Sequence, residues 1–162
     1  MDSKLGFGFA RRGNRAVRVR IALEMHVFPS RLTKMEHPIV EKILKEGINS
    51  VNLSMLEENA RKKILSDVAE KLYKQNKFIE AIEIMAKAND IEKLIKIGDL
   101  FLAENKAELA ALCFIPTKDK QRLNNAAVLC IQTKNYKLAA KAYEAADNKQ
   151  MSSFIMQNFV EG

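Results

Sequence analysis

Five arginines, Arg11, Arg12, Arg15, Arg18 and Arg20, crowd together near the start of the chain. Guanidinium groups at that density suit phosphate, because each stays charged and presents a fork of donors to an oxyanion. Just ahead of them Phe7 and Phe9 alternate with Gly6 and Gly8, and exposed rings beside arginines are apt for stacking bases. These five arginines are candidate phosphate contacts. Other chemistry is scarce. The two histidines, His26 and His37, lack Cys or carboxylate neighbours at ligand spacing, so no metal site is expected. Cys113 and Cys130 are expected to be buried, reduced and structural. Glu70, Glu80, Glu83, Glu92, Asp99, Glu104 and Glu108 alternate with lysines, the pattern of a solvated helix face. No Ser/His/Asp or Cys/His set assembles from these residues. The expectation is a protein that is not an enzyme and carries no cofactor.

The charge is segregated. Residues 1–36 hold eight Lys+Arg against three Asp+Glu, and residues 37–162 hold nineteen against seventeen. The net charge of +7 therefore belongs mostly to a basic N-terminal appendage, residues 1–37. Within it Val17, Val19, Ile21, Leu23, Met25 and Val27 alternate with Arg18, Arg20, Ala22, Glu24 and His26. That period of two predicts a half-buried strand, and Arg12-Gly13-Asn14 offers a turn to a β-hairpin. The Gly6–Ala10 run resembles the base-stacking strand of RNA-recognition and cold-shock modules, but the strands and helix those modules need before or beside it are absent. A phosphate loop fails too, since no Gly-Lys-Ser/Thr follows. An Arg-rich, acid-poor start is the composition of a mitochondrial targeting peptide, yet the period of two opposes the amphipathic helix it would require. No apolar run approaches the roughly 18 residues of a membrane span, and no secretory signal is evident, so the expected location is cytoplasmic.

Residues 38–162 read as an α-helical repeat domain. Three stretches superimpose at a step of 29 residues. Leu65, Leu94 and Leu123 share a column, followed by Val68-Ala69, Ile97-Gly98 and Ala126-Ala127, then Leu72, Phe101 and Cys130. A second run opens with Phe78, Ala107 and Tyr136 and continues through Ala81, Ala110 and Ala139 to Met85, Phe114 and Tyr143. The alanine column is expected where two helices cross closely. Breaks are predicted near Asn76, Asn105 and Lys134-Asn135, and again near Asn89-Asp90, Pro116-Thr117 and Asp147-Asn148. Before the repeats, Pro38 should open a short helix ending at Gly47. Ser54-x-x-Glu57 has the form of a capping box for a long helix reaching Gln75. One more step lands on Ile155, Met156 and Phe159, the face of a further first helix whose partner does not follow. A fixed period of this size signals stacked units, each unable to bury its apolar face alone. The fold class expected is all-α, a right-handed α-solenoid of antiparallel hairpins with about three repeats, terminal helices and the β-prone appendage.

The columns Val68-Ala69, Leu72, Asn76, Phe78, Ala81, Met85 and Ala88, echoed by Ala127, Tyr136, Ala139, Tyr143 and Ala146, resemble the tetratricopeptide repeat. The period here is shorter than that family's, which runs about 34 residues. Shorter hairpins of this kind are also similar to the solenoids of coat and intraflagellar-transport proteins. The resemblance implies a concave groove lined by first helices, binding a peptide or partner helix. Carried across by column, its central residues are Tyr73, Ile95, Asp99, Leu102, Asn124, Val128 and Ile131. Glu70 and Asp99 stand where a clamp for a C-terminal carboxylate would be basic, so a hydrophobic or amphipathic helix is the expected guest. The leading expectation is a scaffold, adaptor or assembly subunit. Its rival is a nucleic-acid-associated protein acting through the arginines, and self-association through the C-terminal helix or the N-terminal strand is a third form of partner binding.

Overall fold

Pro38 opens the first described helix, α1 (Pro38–Glu46), where a missing amide hydrogen costs nothing. His37 caps it by accepting from the Ile39 amide at 3.3 Å, and Gly47 ends it at φ 87°, a conformation that disfavours any side chain. The computed structural model describes residues 37–160, all within the compact unit Thr33–Gly162. The expected β-hairpin and Arg11, Arg12, Arg15, Arg18 and Arg20 lie outside the described residues. Seven further helices follow: α2 (Glu58–Lys74), α3 (Phe78–Lys87), α4 (Ile91–Ala103), α5 (Ala107–Phe114), α6 (Lys120–Gln132), α7 (Tyr136–Ala145) and α8 (Lys149–Ile155). Short 3₁₀ turns occupy Ile48–Ser50 and Ile115–Thr117, and a π-helical turn, Met156–Val160, prolongs α8. The described residues are all-helical, with no strand among them. None of their helices is long and apolar enough to cross a membrane.

The helices stop and start at one step. Asn76, Asn105 and Lys134 have φ of 60°, 57° and 61°, and Asn89, Lys118 and Asp147 have 53°, 57° and 65°. Each left-handed residue reverses the chain just past a helix end. Around Asn76, the Lys77 amide donates to Leu72 O and the Asn76 amide to Tyr73 O, which satisfies carbonyls that a helix end otherwise leaves bare. The same pair of bonds recurs around Asn89, Asn105, Lys134 and Asp147. Asp90, Asp119 and Asn148, again one repeat step apart, then cap α4, α6 and α8 by accepting from the amide three residues on. Asn135 does the same for α7, whereas Lys77 and Lys106 at its column leave α3 and α5 without a side-chain cap.

The capping box at Ser54 does not form. Asn52 Oδ1 instead accepts from the Ser54 amide at 3.0 Å and from its hydroxyl at 2.6 Å. That local turn uses up the serine, and α2 begins only at Glu58, with Glu57 as an N-cap lacking a side-chain bond. A Glu58–Lys62 pair at 2.7 Å supports its first turn.

Consecutive helices pack on one another, and the second helices also meet directly, α3 on α5 and α5 on α7. The alanine column belongs to the core that these contacts enclose. Ala81, Ala110 and Ala139 are fully buried, flanked by buried Met85, Phe114 and Tyr143. Leu65, Leu94 and Leu123 are buried in the first helices, and no polar or charged residue joins the core among the described residues. Gly98 of α4 lies tight against α5. A Cβ there would stand 2.4 Å from Phe114 Cε1 and 3.0 Å from Cys113 Cβ.

Candidate partner-binding surface

Six of the seven residues assigned to the groove lie on α4 and α6. Ile95, Leu102, Asn124 and Ile131 are half-buried, Asp99 is exposed, and Val128 is 48% exposed. Tyr73, on α2, is not a surface residue. It is only 6% exposed, because its ring meets Phe78 edge-on at 5.2 Å and Phe101 at 6.4 Å. Phe78 and Phe101 close the triangle at 5.4 Å, and the Lys106 ammonium lies over both rings. Tyr73 is therefore a core residue binding α2, α3 and α4 together.

Arg122 organises the face between α4 and α6. Its Nε and Nη2 donate to Asp99 Oδ1 and Oδ2 at 2.9 and 3.1 Å, and its Nη1 donates to Asp119 Oδ2 at 2.7 Å. A guanidinium shared by two carboxylates matches their planar geometry in a way an ammonium does not. The Arg122 amide and guanidinium hold the Asp119 carboxyl below its ordinary value, and Asp99 followed by Asp119 pushes the guanidinium further up. One step earlier Lys93 plays a similar part, pairing with Asp90 at 2.8 Å and bonding Ser66 of α2. One step later the basic residue becomes Met151 and the acid becomes Val128, both more than a third exposed. The ionic staple between first helices thus gives way to apolar side chains toward the C-terminal end.

Asn124 Oδ1 is buried and accepts no hydrogen bond among the described residues. An orphaned acceptor of this kind costs roughly 1–3 kcal/mol. The thiols are inert by position. Burial drives Cys113 far above the ordinary thiol value, and burial together with Glu108 pushes Cys130 up to about 11. No group of three His, Cys, Asp or Glu able to hold a metal occurs among the described residues.

Sequence reasoning missed Arg122, because its partner Asp99 is 23 residues away and no short spacing marks the pair. The column relation to Lys93 and Glu70 was the available signal. Of the further face expected at Ile155, Met156 and Phe159, Ile155 is 1% exposed and belongs to the core, Met156 is half-buried and only Phe159 is exposed, while the exposed side chains Met151 and Phe154 were not read from the sequence. Comparison with models of known families, with curated proteins and with solved structures finds no match.

Proposed function

We propose that this chain is a non-enzymatic protein–protein interaction module, a right-handed α-solenoid of tetratricopeptide-like hairpins that presents the first-helix face of α4 and α6 to a partner helix. The observation that carries this reading is the recurrence of left-handed residues at 76, 105 and 134 and at 89, 118 and 147. Backbone punctuation repeated at one step is what stacked helical hairpins require, and arrays of such units serve mainly as extended binding surfaces. Exposed Val128 beside half-buried Ile95, Leu102 and Ile131 supplies an apolar strip, with the Asp99–Arg122 bridge as its polar edge. An amphipathic helix laid across it would read these positions at helical spacing.

The test is capture of partners from the native cell with the full chain, with and without nuclease. Val128→Asp changes a half-exposed residue and leaves the core alone, so loss of the captured protein would support the apolar strip. Leu102→Asp and Ile131→Asp should act in the same direction. If capture instead disappears on nuclease treatment and on deletion of residues 1–36, and falls steeply with salt, the arginines and nucleic acid are the answer and the strip is not.

A further inference from the structure

The first helices change character along the chain. One column runs Glu70, Asp99, Val128 and Gln157. In α2 and α4 it holds carboxylates, paired with Lys74 and Arg122, whereas in α6 and in the turn prolonging α8 it holds uncharged groups. Beyond Arg122 no charged residue remains in α6, and beyond Lys149 none occurs as far as Val160. These two helices are neighbours. Both pack on α7, and Lys120 at the start of α6 pairs at 3.2 Å with Asp147, just ahead of α8. Val128 is 48% exposed and Met151 is 37% exposed. Gln121, Asn125 and Gln132 share the face of Val128 at helical spacing and are exposed, as are Gln150 and Gln157 on the next first helix. Such openness does not depend on being last in the array. One step earlier in the same two columns, the Asp99 and Arg122 side chains are 46% and 36% exposed although further helices follow them.

A valine and a methionine ringed by amides, with charge excluded, have the composition of an interface centre and not of a solvated helix face. The chemistry narrows the occupant. Complementary charge is what selects an unlike partner, and this patch offers none to read. A two-fold contact instead sets a patch against its own copy, so that any charge on it would face its like. Side-chain amides suit that arrangement, because each carries both donor and acceptor and can pair with its own kind. The rest of the repeat domain does not oppose it. Residues 37–162 hold nineteen Lys+Arg against seventeen Asp+Glu, so two such domains approach with little net repulsion. We infer that a second copy of this chain docks on the α6–α8 face, forming a two-fold dimer centred on Val128 and Met151. The inference rests on the reading of first-helix faces as the binding side of the chain, and it names the partner taken at α6 and α8.

Sedimentation equilibrium of the full chain over a wide range of concentration should show a reversible monomer–dimer equilibrium. Val128→Lys and Met151→Lys each charge an exposed side chain and spare the core, and each should weaken the dimer about tenfold or more. Mixed in equal amounts, Val128→Lys and Val128→Glu should associate more tightly than either does alone, since across the axis the new charges are opposite. Circular dichroism on every variant checks that the helices remain. Because the contact is uncharged, its affinity should change less than about threefold between low and high salt. A monomer at every concentration, a dimer indifferent to both lysine substitutions, or a dimer that salt dissolves would each overturn the inference. Leu102→Asp, on α4, should leave the dimer intact. A monomer whose capture of another protein still depends on Leu102 counts against the dimer alone, and a dimer that captures nothing counts against the α4–α6 strip alone.

Discussion

Gly98 offers a sharp test of how the helices are fitted together. In an exposed helix, Gly→Ala gains about 1 kcal/mol from backbone entropy. Here the added Cβ would lie 2.4 and 2.6 Å from Phe114 Cε1 and Cζ, well inside ordinary contact. Phe114 is fully buried and has nowhere to retreat. Overpacking of this order costs roughly 1–3 kcal/mol, so Gly98→Ala should be neutral to destabilising by about 2 kcal/mol. Phe114→Leu removes the ring atoms concerned. In that background Gly98→Ala should recover the helix gain and stabilise by about 1 kcal/mol. Urea unfolding of the four proteins measures the coupling, expected at about 1–3 kcal/mol. Ala69 and Ala127 stand in the same column with their Cβ atoms buried, so the need for glycine is particular to Phe114. Additivity within about 0.5 kcal/mol would refute the argument.

Lys118→Gly and Lys134→Gly place glycine at φ 57° and 61° and should each raise stability by roughly 0.5–1 kcal/mol in the same assay. Asp119→Ala removes a cap and one partner of Arg122, and should cost about 1–2 kcal/mol at neutral pH. The Asp119 carboxyl is depressed in the folded state, so its contribution is present above the unfolded value of about 4 and is lost as pH falls through the folded one. Below that window the variant and the parent should converge in acid titrations of stability. Cys113 and Cys130 should resist a thiol reagent at about pH 8 in the folded protein and react fully once it is denatured. Their raised values act in the opposite sense from Asp119. The unfolded thiols ionise above about 8.5 while the folded ones do not, so stability should decline as pH rises from there toward about 11.

The fold was legible where one column of the sequence does one mechanical job at a fixed interval. Ala81, Ala110 and Ala139, expected at close helix contacts, are fully buried, and the breaks expected near Asn76, Asn105 and Lys134 are left-handed turns between helices. Local competition and distant partners hid the rest. Ser54 and Glu57 had the spacing of a cap, but Asn52, two residues before, satisfied the serine first. Tyr73 has the right column for a groove, yet Phe78 and Phe101 arrive from later helices and enclose it. Its fate depends on rings carried by the next two helices, which no count of columns resolves. Arg122 and Asp99 likewise meet only because α4 and α6 are neighbours. The apolar character of Ile95, Leu102, Val128 and Ile131 was plain in the sequence. That Val128 stays half exposed while the other three are more covered follows from helix placement.

The left-handed residues at each reversal have a consequence for how such a chain can change length. Because Asn76, Asn105 and Lys134 share one backbone state, as do Asn89, Lys118 and Asp147, a cut at any member can be rejoined at another with matching dihedrals. Removing or duplicating a whole 29-residue unit between equivalent points would keep every later helix in phase. A single inserted residue inside a helix would rotate all later side chains by about 100° and scramble the core. The grammar of this molecule therefore tolerates edits of whole units and penalises small ones, so its descendants and engineered variants should differ by hairpins more readily than by residues.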